Sequence, residues 1–370
     1  MDDTTQPRTP VWRSEMVLLF GFATAVVFWT AGASWLKALD SPLAAGLFFV
    51  WLFAVMLWLS FAVVRHAECL AVRMGEPLGT LILTLAVILI EVVMISAVMV
   101  TGKENPTMAR DTMFSVIMIV LNGMLGITLL VGGLRHREQD YSLPGARSYL
   151  VVLIALGFLC LVLPRFTVSA PGGEPSKLMA NFLIAASVLL YGMFLYLQST
   201  HHSHHFRSKK EHAGGHEGLE VRSTGFHAVF LVLTMLPIVL LSKKIALVID
   251  YGIVAAGAPH ALAGFLVAVL VLAPEGLAAV KASLENQLQR TVNIAFGSAL
   301  ATIGLTIPAV IAISEVTGKR IELGLNPDDI ALLVLTFFVA AINFGGTRTT
   351  ILGGAVHLVI FLAYLVLIFE

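Results

Sequence analysis

Eleven apolar runs, each near the length of a membrane-spanning helix, constrain this 370-residue chain more than any other feature. A helix needs about 20 apolar residues to cross the hydrocarbon core of a bilayer. The chain is 58% hydrophobic and only 12% charged, whereas soluble domains carry about 25% charged residues. The pattern predicts an all-α polytopic membrane protein with about eleven transmembrane helices. The runs lie at about 16–37, 43–64, 79–101, 111–134, 148–166, 178–198, 225–242, 257–280, 290–313, 328–343 and 350–369.

Lysine and arginine are more numerous in the loops on the side of the N-terminus, as in the 135–147 segment. Because basic loops are retained in the cytoplasm, this bias predicts a multi-pass protein with a cytoplasmic N-terminus and a C-terminus on the opposite side. Lys+Arg and Asp+Glu both number 23, so charge gives no indication of a nucleic-acid partner. Cys69 and Cys160 are interpreted as small apolar packing residues, not as a disulfide framework.

Two of the apolar runs each carry a single charge, and in both cases it is a glutamate. Glu91 is the only charged residue between positions 79 and 100, and Glu275 is the only one between positions 264 and 280. A charge at membrane depth costs at least about 2.5–3.5 kcal/mol on insertion scales. We therefore interpret both glutamates as functional residues, with plain pairing to a neighbouring helix as the alternative.

Glu275 is flanked by Pro274 and Gly276. Proline lacks an N–H, so the carbonyl one turn earlier loses its helical partner. Such freed carbonyls can coordinate a cation where they line a cavity in a transporter. A packing kink is the alternative interpretation, and Glu91 has no neighbouring proline.

The surroundings of the two glutamates suggest an internal repeat. Ser115 follows Glu91 by 24 residues, and Ser298 follows Glu275 by 23. Each half can be divided into five spans, and because five is odd the second half enters the membrane in the opposite sense. This is the inverted-topology repeat common among secondary transporters. The predicted segments are a 1–15 N-terminal tail, a 16–42 extra first transmembrane helix, a 43–198 first five-helix repeat, a 199–224 His-rich cytoplasmic linker and a 225–370 second five-helix repeat.

The predicted linker contains His-His-Ser-His-His at 201–205, followed by His212 and His216. Clustered imidazoles can bind a transition metal or respond to protons near neutral pH. The alternative is a solvated linker between the two halves.

Three further glutamates, Glu68, Glu76 and Glu285, flank the two carboxylate runs. They are candidates for a vestibule that attracts cations. Ordinary solvation of loops is the alternative.

Several stretches resemble one known family over nearly the whole chain. They are Val64–Gly79, the run around Glu91, Ala109–Ser115, Ala273–Leu277, Asn286–Arg290 and Phe296–Thr302. The chain resembles the calcium/cation exchanger superfamily, and within it the bacterial ChaA-type calcium/proton antiporters, also described as sodium/proton and potassium/proton exchangers. The resemblance implies an eleven-helix antiporter of the cell inner membrane that expels a cation against proton entry. In that membrane, the bias of the basic loops predicts a cytoplasmic N-terminus and a periplasmic C-terminus.

The resemblance covers both glutamates, Glu91 and Glu275, but not a glycine-asparagine pair that precedes them in the broader family. Here residues 86–89 read Ala-Val-Ile-Leu and residues 271–274 read Val-Leu-Ala-Pro. The asparagine ligands of the broader family are therefore not expected in this chain.

The resulting hypothesis is a site in which Glu91 and Glu275 bind either protons or a transported Ca²⁺, Na⁺ or K⁺. Two nearby carboxylates in a low-dielectric site cannot both stay ionised without a cation. Ca²⁺ takes about six to eight oxygen ligands, so the pair needs further donors. The candidates are Ser115, Ser298, Asn122 and a carbonyl freed by Pro274.

Alternatives remain open at this point. One is a monovalent Na⁺/H⁺ or K⁺/H⁺ antiporter with little Ca²⁺ transport, and another is a cation channel. An intramembrane enzyme is not expected, because the sequence contains neither HExxH nor GxSxG. We expect no resident cofactor, since the ions are cargo, and the expected partners are those ions, protons and the lipid bilayer. The sequence does not predict an oligomeric state.

Overall fold

The computed structural model describes residues 10–37, 41–75, 78–101, 105–201, 203–206 and 220–370. Within these ranges a helix lies at each of the eleven apolar runs. They are α1 Met16–Thr30, α2 Pro42–Met74, α3 Leu78–Thr101, α4 Met108–His136, α5 Leu143–Phe166, α6 Lys177–Ser199, α7 Thr224–Ala256, α8 Ala261–Leu284, α9 Leu288–Thr317, α10 Pro327–Asn343 and α11 Ile351–Leu367.

Shorter elements interrupt or connect these helices. π-Helical turns occur at Ile119–Met124 in α4, Phe158–Val162 in α5 and Thr302–Thr306 in α9. Short helical turns occur at Val11–Ser14, Gly32–Lys37, Leu163–Phe166 and Ser203–His205. Strand β1, Gln139–Asp140, pairs antiparallel with strand β2, Arg348–Thr349.

By length and composition, seven helices of the described chain can cross a membrane, namely α2 and α4 to α9. Shorter apolar helices occur at Met16–Thr30, at Ile82–Ala97 within α3, and at Ile351–Leu367. Large apolar side chains also face outward: Leu178 is 82% exposed and Leu189 is 71% exposed. A multi-pass membrane protein is therefore confirmed, whereas the count of eleven crossings stays a prediction.

Two helices continue well beyond the ends that the apolar runs predict. α2 ends at Met74 rather than near residue 64, and α7 ends at Ala256 rather than near residue 242. Each is followed by a glycine at positive φ, Gly75 at 66° and Gly257 at 61°. A basic residue such as Lys243 lowers hydropathy without interrupting a helix, whereas a glycine in this conformation ends one.

Hydrogen bonds between the described loops show which of them lie at the same end of the helix bundle. At the end that holds the start of α1, here called the proximal end, Ser142 N–H donates to the Gln289 side chain at 2.6 Å. The β1–β2 pair also lies at the proximal end. At the opposite, distal end, Glu322 N–H donates to the Pro106 carbonyl at 2.8 Å, and Leu323 N–H donates to the Gly173 carbonyl at 2.9 Å. It follows that α3 runs from the proximal to the distal end and α8 runs in the opposite direction.

The buried apolar side chains form two clusters. One joins α1, α2 and α7 to one face of α3 and α8. The other joins α4, α5, α6, α9, α10 and α11 to the remaining faces of α3 and α8. The two carboxylate helices therefore lie at the boundary between two separately packed groups of helices.

A buried polar chain connects the start of α1 to α2 and α7 at the proximal end. Arg65 and His66 contact the Glu15 carboxylate at 2.8 and 3.1 Å. The Nδ1 atoms of His66 and His227 lie 3.0 Å apart, and His227 Nε2 accepts a hydrogen bond from Arg222 N–H at 2.9 Å. Because Nε2 accepts, Nδ1 of His227 carries the proton, and the donors run from His227 through His66 to Glu15.

Replacing Glu15 with glutamine is expected to lower the free energy of unfolding by about 1–3 kcal/mol, because a charged acceptor is lost. Burial alone raises the pKa of the Glu15 carboxyl, but the hydrogen bond from His66 and the charge of Arg65 outweigh burial and lower that pKa below its usual 4.5. The stabilisation is therefore present above pH 4.5 and lost as the pH falls through the lowered pKa. Thermal unfolding of the purified protein across pH checks this. A difference between wild type and E15Q that persists unchanged in strong acid would contradict it.

Candidate functional site

Glu91 and Glu275 lie in the middle of the antiparallel helices α3 and α8, and both contact one stretch of α9: Thr302 bonds Glu91 at 2.8 Å, and Ser298, one turn earlier, lies beside Glu275. Glu91 is buried, with 1% of its surface exposed, and Glu275 is partly exposed to an internal cavity. The structure thus brings together the two carboxylates that the sequence singles out.

Glu91 is surrounded by hydroxyl groups of α9. Thr302 Oγ1 donates to Glu91 Oε2 at 2.8 Å, and the Thr306 hydroxyl lies beside the same carboxylate. Glu91 Oε1 and Thr306 Oγ1 are both buried and have no hydrogen-bond partner. Buried polar atoms are nearly always paired, so two neighbouring oxygens without a well-formed hydrogen bond are candidates for contact with a ligand. Both threonines lie in the π-helical turn of α9, a feature frequent at functional sites.

Glu275 has a similar set of neighbours. The Ser298 hydroxyl lies beside its carboxylate, and Glu275 Oε2 is buried without a partner. Pro274 is buried within α8, which continues as one helix from Ala261 to Leu284. Since proline cannot donate, the Leu270 carbonyl has no partner from residue 274. The free carbonyl that the sequence predicts near Glu275 is therefore present, although the helix is not broken there.

A cavity of about 550 Å³ connects the proximal end to Glu275. Gly75, Ser203 and Arg290 border it at that end, and Ser298 and Glu275 border it at depth. Glu91 lies behind this cavity and does not line it. The structure is therefore open to Glu275 from the proximal end.

Two of the predicted additional ligands have other partners. Ser115 Oγ donates to the Asp111 carbonyl and lies 2.6 Å from the Tyr364 hydroxyl. Asn122 donates to Thr336 Oγ1 at 2.9 Å and its Oδ1 lies 3.0 Å from His357 Nδ1. Neither side chain is hydrogen-bonded to Glu91 or Glu275.

The predicted vestibule residues are also separated. Glu68 lines the cavity, whereas Glu285 lies at the end of α8, 4.0 Å from Lys281, and is not among the cavity residues. Glu76 lies outside the described residues.

The histidine cluster is described only in part, since His202, His212 and His216 lie outside the described residues. Ser203 and Phe206 line the cavity, and the Phe206 carbonyl accepts from Asn293 at 2.6 Å. Among the described ranges, no group of three or more His, Cys, Asp or Glu side chains could hold a metal ion.

Ser298 is a predicted ligand, whereas Thr302 is noted in the sequence only as a small polar residue of the same span and Thr306 is not predicted at all. The signal that could have found them is their spacing. Each follows the previous hydroxyl residue by four positions, which places all three on one face of a helix.

Replacing Thr302 with valine is expected to reduce exchange about tenfold, because hydrogen bonds to charged groups contribute about 1.5–3 kcal/mol. Thr128→Val is the matched control, since the Thr128 hydroxyl only bonds the Leu125 carbonyl of its own helix at 3.0 Å. Ion-driven proton flux in vesicles measures both variants. Equal loss in the two would show that the effect of T302V is not specific to Glu91.

The chain is similar to known proteins over most of its length. The sequence profile of the family described as "sodium/calcium exchanger protein" matches residues 44–200 and 226–370. The chain is 40% identical over 315 residues to the sodium-potassium/proton antiporter ChaA of Escherichia coli, with 84% of this chain and 85% of that protein covered. It is 43% identical over 312 residues to a Sinorhizobium fredii protein named for an inferred ionic transport activity, with 83% and 84% covered.

Solved structures show the same fold at low sequence identity. The structure of native YfkE is similar with a TM-score of 0.73 and 17% identity, covering 96% of this chain and 99% of that one. The H⁺/Ca²⁺ exchanger CAX is similar with a TM-score of 0.66 and 14% identity, covering 96% and 88%. The family profile covers most of the sequence, and relatives above 30% identity align over more than two thirds of it. This chain belongs to the sodium/calcium exchanger family, and it is a ChaA-type member of the calcium/cation exchanger superfamily.

Proposed function

We propose that this chain is a secondary active antiporter of the cell inner membrane that exports Ca²⁺, and also Na⁺ and K⁺, in exchange for protons. The observation that carries the proposal is the pair of carboxylates, Glu91 and Glu275, on antiparallel helices, each with one buried oxygen that has no partner. The names of relatives support the ions: ChaA of Escherichia coli is a sodium-potassium/proton antiporter, and YfkE is a Ca²⁺/H⁺ antiporter protein.

Charge neutralisation couples the two ions. Burying two neighbouring carboxylates in their ionised form is costly unless a cation compensates them. One Ca²⁺ or about two protons neutralise the pair, so the same site holds one or the other. The helices then exchange between the two faces only in a neutralised state, and this requirement converts binding competition into exchange.

The oxygen atoms around the two glutamates are suitable ligands for a hard cation such as Ca²⁺. Glu91 and Glu275 supply up to about four oxygens, and Ca²⁺ takes about six to eight. Thr302, Thr306 and Ser298 provide hydroxyl oxygens beside the carboxylates. Water from the cavity completes the shell on the side of Glu275.

The proposal includes a topology. The proximal end is cytoplasmic, the C-terminus is periplasmic, and residues 43–198 and 225–370 are inverted five-helix repeats behind an extra first helix. Support comes from the opposite directions of α3 and α8 and from the π-helical turns in both α4 and α9. The 199–224 segment is a linker, and Glu68 attracts cations at the mouth of the cavity.

Proton flux in everted membrane vesicles tests the proposal. Vesicles that contain the protein are energised, and Ca²⁺, Na⁺ or K⁺ is then added in turn. We expect each active ion to cause proton efflux that saturates with concentration. The absence of ion-driven proton movement at confirmed expression would contradict antiport.

The 40% identity to a sodium-potassium/proton antiporter favours one alternative, a monovalent exchanger with little Ca²⁺ transport. The same assay separates the two, because a monovalent exchanger responds to Na⁺ or K⁺ and not to Ca²⁺. A cation channel would give flux that neither saturates nor follows an opposing proton gradient.

A further inference from the structure

The two carboxylate helices carry residues at matching distances before their glutamates, but only one set faces the cavity. In α3, four residues that precede Glu91 by eight, seven, four and three positions line it: Leu83, Thr84, Val87 and Ile88. In α8, the residues at the same distances before Glu275 are Val267, Ala268, Val271 and Leu272. None of these four lines that cavity, and they are at most 3% exposed, whereas Val87 and Ile88 are 4% and 7% exposed and Leu83 and Thr84 more so.

Helices α4 and α9 show the same contrast when Ser115 is matched to Ser298. In α9, Ser298 and its neighbours Gly297 and Ala301 line the cavity. The corresponding residues of α4 are Phe114, Ser115 and Met118, which are at most 3% exposed and do not line that cavity. One half of the protein is therefore open toward the proximal end, while the matching surfaces of the other half are closed toward the distal end.

Tyr364 of α11 occupies the closed half. Its hydroxyl lies 2.6 Å from Ser115 Oγ. Since Ser115 donates its own proton to the Asp111 carbonyl at 2.6 Å, Tyr364 is the donor in this pair. The Tyr364 ring packs edge-on against Phe114, with centroids 5.5 Å apart, and near Phe265 at 6.2 Å.

Helix packing differs between the halves in the same sense. At the distal end α8 lies directly against α4: a Cβ added to Gly264 would be 2.7 Å from the Thr112 nitrogen. At the proximal end, Leu83 of α3 and Arg290 of α9 instead line the cavity. Ser115 and Tyr364 lie within about two turns of the distal ends of their helices, on the distal side of the mid-helix glutamates.

We propose that the hydrogen bond between Tyr364 and Ser115 is the distal gate of the transporter, closed while the proximal cavity is open. The inference rests on the proposed function, because a gate on each side is needed only by a carrier. Opening the gate separates Tyr364 from Ser115 and exposes the buried face of α8, including Ala268. Tyr364 is a positioning residue that sets the balance between the two open states.

Thiol labelling of the full-length protein in detergent tests the gate. Both native cysteines are replaced, and single cysteines are introduced at Ala268, in the closed half, or at Ala278, which lines the open cavity. Tyr364→Phe and Ser115→Ala each remove the bond. One hydrogen bond shifts an equilibrium by about two- to tenfold, so labelling at position 268 is expected to rise by that factor. Labelling at position 278 is expected to fall.

The opposite responses of the two cysteines distinguish gating from loosened packing, in which both rates would rise together. Tyr191→Phe is the matched control: Tyr191 lies beside the Thr84 hydroxyl in the open half, and its loss should not raise labelling at position 268. Unchanged labelling in both Y364F and S115A, or a joint rise at both positions, overturns the gate. If wild type shows no exchange while the labelling responds as expected, control of distal access by the bond between Tyr364 and Ser115 stands and the transport proposal fails.

Discussion

Glutamine at position 275 is expected to abolish ion-driven proton movement, reducing it to the level of vesicles without the protein. Glu275 is the carboxylate that the cavity reaches, and its neutral amide can neither bind a proton nor offset the charge of a cation. The same result is expected for Glu91→Gln, because either change leaves one carboxylate where the exchange needs two. Proton flux with Ca²⁺, Na⁺ and K⁺ in everted vesicles measures both variants.

The control for these variants is Glu285→Gln. Glu285 lies at the end of α8 beside Lys281 and does not line the cavity, so this variant should keep most of its flux. Wild-type exchange by E275Q or E91Q, at matched expression, would show that the carboxylate pair is not the coupling site.

Replacing Gly264 with alanine is expected to destabilise the protein by about 1–3 kcal/mol and to reduce the amount of folded transporter. The added Cβ would lie 2.7 Å from the Thr112 nitrogen and 2.8 Å from the Asp111 carbonyl carbon. These are backbone atoms, so helices α8 and α4 must move apart. Thermal unfolding in detergent and the yield of folded protein measure the effect.

Gly276→Ala is the matched control on the same helix. There the added Cβ meets only the flexible end of Met124 at 3.7 Å, and alanine favours a helix over glycine by about 1 kcal/mol. The two substitutions should therefore change stability in opposite directions. A loss of equal size in both would contradict the close packing of α8 on α4.

The carboxylate pair could be predicted from the sequence because each glutamate is the only charge in a long apolar run. The cost of burying a lone charge makes such a residue conspicuous without any knowledge of its neighbours. Thr302 and Thr306 are less conspicuous, since hydroxyl residues in membrane helices commonly bond their own backbone. Their role beside Glu91 depends on how α3 packs against α9, a contact between residues 211 positions apart in the sequence.

Ser115 and Asn122 show the limit of spacing arguments. Both were expected near the glutamates, and in this structure their partners come from α10 and α11. Linear spacing gives the depth of a residue in its helix but not which neighbouring helix it faces. The hydrogen-bonded chain at Glu15 could not be predicted for the same reason. Its partner His66 lies 51 residues away in the sequence, and His227 lies a further 161 residues on.

The most direct measurement is the number of protons released when a cation binds to the purified protein. Calorimetric titration in buffers of different protonation enthalpy gives this number without any transport step. With Ca²⁺ below neutral pH, release should approach about two protons per ion, because the ion replaces the protons that neutralise the pair. Release should disappear in the Glu91→Gln, Glu275→Gln double variant. Cation binding by the wild type without proton release, or unchanged release in the double variant, would contradict a shared two-glutamate site.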